Sequence, residues 1–507
     1  MSATEETVSV PPPDSPVPVP SYTHRQVLLI MSGLAMGLLL ASLDQTIVST
    51  ALTTISEDFH RVDLYSWVVT AYLLTSTAST PLYGKISDQF GRKRIFQVSI
   101  LIFLAGSAMS GLSQDMYQLI AFRALQGLGA GGLMTLAFAI IGDVIPPRER
   151  GRYQGYFGAV FGVSSVVGPL IGGFLVDQAS WRWVFYVNLP IGAVGLLVIN
   201  RVLKMDHRPR ESKVDVAGSM LIVGGVSLLL VAVQVAGTAA RLTASTWAYG
   251  IPGLLLLAGF VWWEGRAAEP IIPLKLFRNR VFAVANTLSF ITGTVMFGAL
   301  IFVPLYLQAV RGVSPTISGL RMLPMLAGVL LTSITSGRIV SRIGRYKAFV
   351  VAGTAVLAVG LGIMTTITVG TAAWPLAGML FVVGLGLGLF MQILVLSVQN
   401  SVPFEHMGVG TASVTFFRTL GGAVGSAVLG AILILQERNS LPRYQHLYGP
   451  GRAATQHAFT YGMDRAYLYA LPVAVAAFVL SFLMQEVQLR STLGPGAPEA
   501  PAEPTFG

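Results

Sequence analysis

Apolar residues in this chain gather in long blocks separated by short polar punctuation. Fourteen blocks follow one another, at about 26–48, 64–84, 95–113, 117–142, 153–176, 183–203, 215–236, 247–264, 282–309, 317–337, 348–369, 373–400, 408–435 and 465–487. Each is long enough to cross a hydrocarbon layer of about 30 Å at about 1.5 Å per residue. A backbone in lipid must satisfy its own hydrogen bonds, so the blocks predict an all-α polytopic membrane protein. Proline-rich stretches flank them: residues 1–24 and 491–507 read as disordered tails, and the first has neither the basic start nor the apolar core of a signal peptide.

Composition agrees, with 53% hydrophobic and 11% charged residues and a mean hydropathy of +0.68. The chain has no cysteine, which excludes a disulfide scaffold and thiolate catalysis. All six histidines are read in tails or loops, so no histidine metal site or proton relay is expected within a span. The net charge of +10 does not point to nucleic acid, because the basic residues sit in short runs between apolar blocks. If the amino terminus is cytoplasmic, 22 of the 33 Lys and Arg residues fall on the inner side and 8 on the outer. The positive-inside rule then puts both termini in the cytoplasm of a multi-pass plasma (inner) membrane protein. The outer loop 436–464, with Pro442, Gly449, Pro450 and Gly451, is expected to be irregular.

Asp44 is the one charged residue in the apolar run from Val27 to Ile55. A carboxylate at membrane depth costs about 2.5–3.5 kcal/mol on insertion scales and marks an ion or substrate pathway; the alternative is an Asp at a span end that reaches water. Arg123 lies some way into the fourth span with Gln126 on the same face at i+3, either turned into the bundle or snorkelling to the outer interface. An internal repeat sets the architecture: Gly84-Lys-Ile-Ser-Asp-Gln-Phe-Gly-Arg-Lys-Arg94 follows span 2, and Gly337-Arg-Ile-Val-Ser-Arg-Ile-Gly-Arg-Tyr-Lys347 follows span 10. The glycines keep their spacing, Gly84 to Gly91 and Gly337 to Gly344. The repeat predicts two six-helix bundles, 25–204 and 281–490, with two extra helices inserted in 205–280. Asp88 and Arg92, four residues apart, suit a charged latch at an inner gate, whereas a plain topogenic loop explains the basic residues but not Asp88.

These residues carry a resemblance. Leu43-Asp-Gln-Thr-Ile-Val-Ser-Thr-Ala-Leu52, the Gly84 to Arg94 loop, Arg123-Ala-Leu-Gln-Gly-Leu-Gly129, the span 5 set Gly158, Gly162, Gly168, Pro169, Gly172 and Gly173, and Trp181-Arg-Trp-Val-Phe-Tyr-Val-Asn-Leu-Pro-Ile-Gly192 together resemble the fourteen-helix drug/proton antiporters of the major facilitator superfamily, the group containing the quaternary-ammonium-compound exporters. The resemblance implies a major facilitator fold with 14 transmembrane helices, a role for Arg123 in proton transfer, and pairing of Arg92 with an acid at the inner end of span 4, where Asp143 stands. The span 5 glycines give a smooth helix face that Pro169 bends, so Gly168, Pro169 and Gly172 are expected to form a conformational hinge, although helix packing explains the glycines too.

The expected function is proton-coupled export of lipophilic, often cationic small molecules by alternating access, with Asp44 as proton carrier, protons as coupling ion and no other cofactor or metal. Gln126, Phe290, Phe297, Tyr306, Met391, Gln392, Phe416 and Arg418 are candidates for a substrate cavity, because aromatic faces and soft side chains suit such cargo. Export of a native metabolite, lipid or siderophore is a second reading. An enzyme is disfavoured by the absence of paired carboxylates or a metal constellation in the spans, and a sensor by the absence of an output domain. No Walker A sequence is present, so ATP is not expected to drive it. A monomer in the lipid bilayer is expected, with no nucleic acid partner.

Overall fold

The computed structural model describes residues 24–61, 64–203, 215–239 and 243–489; the two tails and the basic stretch 204–214 lie outside them. The helices, in order, are α1 His24–Asp58, α2 Tyr65–Phe90, α3 Arg92–Leu112, α4 Met116–Val144, α5 Pro147–Gln178, α6 Trp183–Tyr186, α7 Asn188–Val202, α8 Val216–Ala239, α9 Ala244–Glu264, α10 Arg280–Leu305, α11 Pro315–Arg321, α12 Leu323–Ile343, α13 Lys347–Met364, α14 Ala373–Ser401, α15 Met407–Tyr448 and α16 Arg452–Ser481. With α6 and α7 sharing one predicted crossing and α11 and α12 another, helices occupy all fourteen predicted positions. Among the described residues, eleven helical segments are long and apolar enough to cross a membrane. The helix α2 is not among them because it carries Ser76, Thr77, Ser79 and Thr80, all of which are buried against neighbouring helices.

Within 25–204, α1 packs on α5, α7 and α4, while α4 also packs on α2 and α3. Within 281–490, α10 packs on α15 and α14, α12 on α14, and α16 on α15 and α13. The inserted α8 and α9 pack on each other, and α8 lies against α2 and α15. Lys85 ties this inserted pair to α2 through a 2.6 Å ion pair with Glu269. The seam between the two halves is made by α5 against α12 and by α15 against α2 and α4.

Both copies of the repeated turn use their second glycine in the same way. Gly91 (φ 94°) separates α2 from α3, and Gly344 (φ 71°) closes α12 ahead of α13. Positive φ is open to glycine at little cost, which explains why both copies place it there. The outer loop 436–464 departs from expectation: α15 runs on to Tyr448, α16 begins at Arg452, and only Gly449 (φ 77°), Pro450 and Gly451 break the helix. His446 and His457 therefore sit in helices rather than in a loop. The ring of His457 stacks 4.3 Å from that of Tyr448 and 5.5 Å from that of Tyr444, fastening the two extensions together.

Candidate functional site

Asp44 lies in the middle of α1, because that helix continues ten residues past the predicted end of the span to Asp58. Its carboxylate is fully buried, which rules out the reading of an Asp reaching water at a span end. Three side chains from other helices converge on it. Arg123 of α4 donates from Nη1 to Asp44 Oδ2 at 2.6 Å. Gln126 of α4 donates from Nε2 to Oδ1 at 2.8 Å, and Asn188, the first residue of α7, donates from Nδ2 to Oδ1 at 3.0 Å. A second Arg123 Nη1 bond, to Gln126 Oε1 at 2.7 Å, closes the ring. The guanidinium is 1% exposed and lies over the Tyr72 face at 4.3 Å, so Arg123 does not snorkel. Gln126 and Asn188 satisfy the second carboxylate oxygen of this dry ion pair, while Arg123 Nε stays buried without a hydrogen-bond partner.

Gln126, expected as a cavity residue, is a member of the Asp44 cluster, with both ends of its amide engaged. Asn188 is the member not anticipated as a site residue, although it falls inside the Trp181 to Gly192 motif. Its amide also donates to Ser107 Oγ at 3.0 Å, fixing α7 to α3 beneath the carboxylate.

At the face carrying the repeated basic turns, called inner here, Arg92 bridges two acids. Its Nε donates to Asp143 at the end of α4, and its Nη1 lies 2.7 Å from Asp88. Ser87 Oγ accepts a further bond from Nη1 at 3.0 Å. The Asp88 carboxylate faces the first turn of α15, close to the Val409 backbone, and a Cβ on Gly408 would collide with both Asp88 and Arg92. A carboxylate at a helix N-terminus gains from the orphan N–H groups and the dipole there. Gly84 completes the crossing: a Cβ at this position would lie 2.6 Å from that of Ala412 and 3.0 Å from the Gly408 carbonyl oxygen. The five residues Gly84, Asp88, Gly91, Arg92 and Asp143 thus meet where α2, α3 and α4 abut α15. Nearby, Gln399 of α14 donates to the Phe138 carbonyl at 3.0 Å and to Thr411 Oγ1 at 3.1 Å, closing the inner end of the seam.

Two glycines of α5, Gly168 and Gly172, serve packing, whereas Gly173 has open space beside it. Gly168 and Gly172 lie against Thr46, Ile47 and Thr50 of α1, where any Cβ would collide, and Thr46 Oγ1 donates to the Ser164 carbonyl at 3.0 Å. They join helices of the same half, so the expected hinge role finds a packing explanation; the Pro169 side chain lies outside the described residues. Among the described glycines of α5, Gly158 faces the other half, where an added Cβ would lie 3.5 Å from Ser333 Oγ of α12.

The expected cavity residues do not form one group. Tyr306 is fully buried, and its hydroxyl donates to the Thr368 carbonyl at 2.7 Å, beyond α13, which makes it a structural tie. Phe416 packs with Ala78, Ile222 and Val226 of α2 and α8. Both side chains are taken up by packing in this structure, as large apolar side chains in a helix bundle commonly are. Phe290 and Met391 are partly buried, and the Phe297 side chain is outside the described residues. Gln392 and Arg418 remain as buried polar groups in the second half.

The profile of the Major Facilitator Superfamily matches residues 34–426. An uncharacterized MFS-type transporter of Mycobacterium tuberculosis (strain ATCC 25618 / H37Rv) is 42% identical over 497 residues, spanning 93% of this chain and 71% of the relative. The multidrug transporter protein MdtP of Bacillus subtilis (strain 168) is 39% identical over 419 residues, spanning 82% of this chain and 76% of the relative. The solved structure of the proton:xylose symporter XylE bound to 6-bromo-6-deoxy-D-glucose superposes with a TM-score of 0.65 at 14% identity, over 92% of this chain and 98% of that one, a likeness of fold alone. The helical architecture, the duplicated turn and these relatives lead to one conclusion: the chain belongs to the Major Facilitator Superfamily and is a membrane transporter, not an enzyme.

Proposed function

We propose that this protein exports lipophilic, often cationic small molecules from the cytoplasm in exchange for protons, by alternating access between bundles 25–204 and 281–490. The observation that carries the reading is Asp44, a carboxylate buried mid-helix whose charge is met by Arg123. A proton reaching Asp44 cancels that charge and leaves a buried guanidinium short of its acceptor, so the first bundle must rearrange to satisfy it. The helix α4 links this event to the gate. It bears Arg123 in its outer half and Asp143 at its inner end, twenty residues apart or about 30 Å along a rigid helix. A tilt of α4 that rematches Arg123 therefore moves Asp143 relative to Arg92 and loosens the grip of Asp88 on α15. The relative MdtP, named a multidrug transporter, supports small lipophilic cargo. Both termini are assigned to the cytoplasm and the working unit to a monomer in the plasma membrane, with protons as the sole coupling ion.

The test is transport in proteoliposomes loaded with ethidium, driven by an imposed pH gradient. Efflux that rises with the gradient and collapses with nigericin is expected; gradient-independent efflux, or none, overturns the antiport reading.

A further inference from the structure

Helix geometry brings two unpartnered polar side chains together in the second bundle. The helices α14 and α15 form an antiparallel pair joined by a short turn, and Gln399 meets Thr411 across its base at 3.1 Å. Gln392 lies seven residues from Gln399, and Arg418 seven residues from Thr411. Seven residues are two turns, so each returns to the same face about 10 Å further from the inner end. Gln392 and Arg418 therefore stand at one height on facing stripes of the two helices. At its inner end the α14 stripe meets α4 through the Gln399 bond to Phe138, and further along α15 the Arg418 carbonyl, Gly421 and Gly425 pack against α10.

Both groups are closed off from solvent, Arg418 at 6% exposure and Gln392 at 7%. Arg418 Nη1 and Gln392 Oε1 have no hydrogen-bond partner, and no charged side chain among the described residues pairs with Arg418. Arg418 lies eleven residues into α15, about 16 Å along it, too deep to snorkel. A guanidinium left unmatched at membrane depth is costly, and such groups mark the place of a missing counter-charge. Arg123 in the first bundle shows the contrast: at similar burial, it has its own aspartate.

We propose that Arg418, with Gln392 beside it, binds an acidic group on the transported molecule, so that the exporter accepts lipophilic carboxylates as well as cations. The planar fork of the guanidinium suits the two oxygens of a carboxylate, and the Gln392 amide nitrogen adds a donor. On this reading, the second bundle reads the cargo while the first handles the proton. The inference rests on the export reading for its transported molecule, but binding tests it separately.

The experiment measures binding of dansyl-labelled undecanoic acid and of its methyl ester to the full-length protein in nanodiscs, in chloride-free buffer, with empty nanodiscs subtracted. The protein is expected to prefer the acid by about tenfold or more, the scale of one charge-assisted hydrogen bond. Arg418→Gln should erase the preference and Arg418→Lys retain part of it. Equal binding of acid and ester, or an acid preference that survives Arg418→Gln, overturns the proposal. So does millimolar chloride abolishing acid binding, which would make this a halide site. If Arg418→Gln does not fold, Gln392→Leu decides, with a severalfold loss of acid preference expected and no loss overturning the proposal. Retained acid preference without gradient-driven efflux would sink the antiport reading alone.

Discussion

Arg123 Nη1 stands 2.6 Å from Asp44 Oδ2, joining α4 to α1 through a pair of opposite charges withdrawn from water. Removing one charge leaves the other stranded. Asp44→Asn is expected to reduce gradient-driven ethidium efflux to the leak rate and to lower stability by about 3–5 kcal/mol, the cost of breaking a buried pair. Proteoliposome efflux and thermal unfolding measure the two effects, and full-rate efflux in this variant would move proton carriage elsewhere.

Asn188 holds Asp44 Oδ1, the oxygen that Arg123 leaves free. Asn188→Leu keeps the branching at Cγ but deletes two hydrogen bonds, one of them to a charged group, at a cost of about 1.5–3 kcal/mol. The expected readout is a displaced pH profile of efflux with cargo binding retained; an unchanged profile would reduce Asn188 to packing.

How much of this was legible in sequence follows the chemistry of each residue. Asp44 and Arg123 stood out because charge inside an apolar run is conspicuous, and Gln126 was visible by its i+3 spacing. Asn188 was hidden because it follows the short helix α6, in a stretch with no periodicity to show which way an amide faces. Gly408 and Ala412 were equally silent, since a glycine that admits a neighbouring carboxylate looks the same in sequence as one that packs against lipid. The outer extension was misjudged because Pro442 was read as a loop signal, whereas α15 carries it and ends only at Gly449.

Arg92 holds two acids of its own bundle, one of which also engages the start of α15. Arg92→Ala is expected to open the inner end of the seam, shifting the two-state ratio by about 10- to 150-fold for a loss of about 1.5–3 kcal/mol. The chain contains no cysteine, so a single Thr411→Cys reports this directly. Its maleimide labelling should accelerate in the Arg92→Ala background, and an unchanged rate would return the loop to a topological role.

Gly172 rests on Thr50 and the Ile47 carbonyl. Gly172→Ala is expected to cost about 1–3 kcal/mol by overpacking, measured as a lower unfolding temperature. Adding Thr50→Ala removes the hydroxyl in the way and should restore much of the loss. A transport defect in Gly172→Ala at an unchanged unfolding temperature would favour a hinge over a packing role for Gly172.

The helix α15 has 42 residues and so extends about 63 Å, roughly twice the depth of the hydrocarbon layer. Its far end is pinned to α16 by stacked rings, and Gln456 of α16 bonds the Val310 carbonyl at 2.8 Å. The pair is thus a lever fixed to the second bundle. A tilt of about 10° at its foot sweeps the tip through about 10 Å, given the rise of an α-helix. A spin label there would magnify a rocking too small to resolve at the membrane centre, turning the outermost part of the protein into a pointer for its innermost motion.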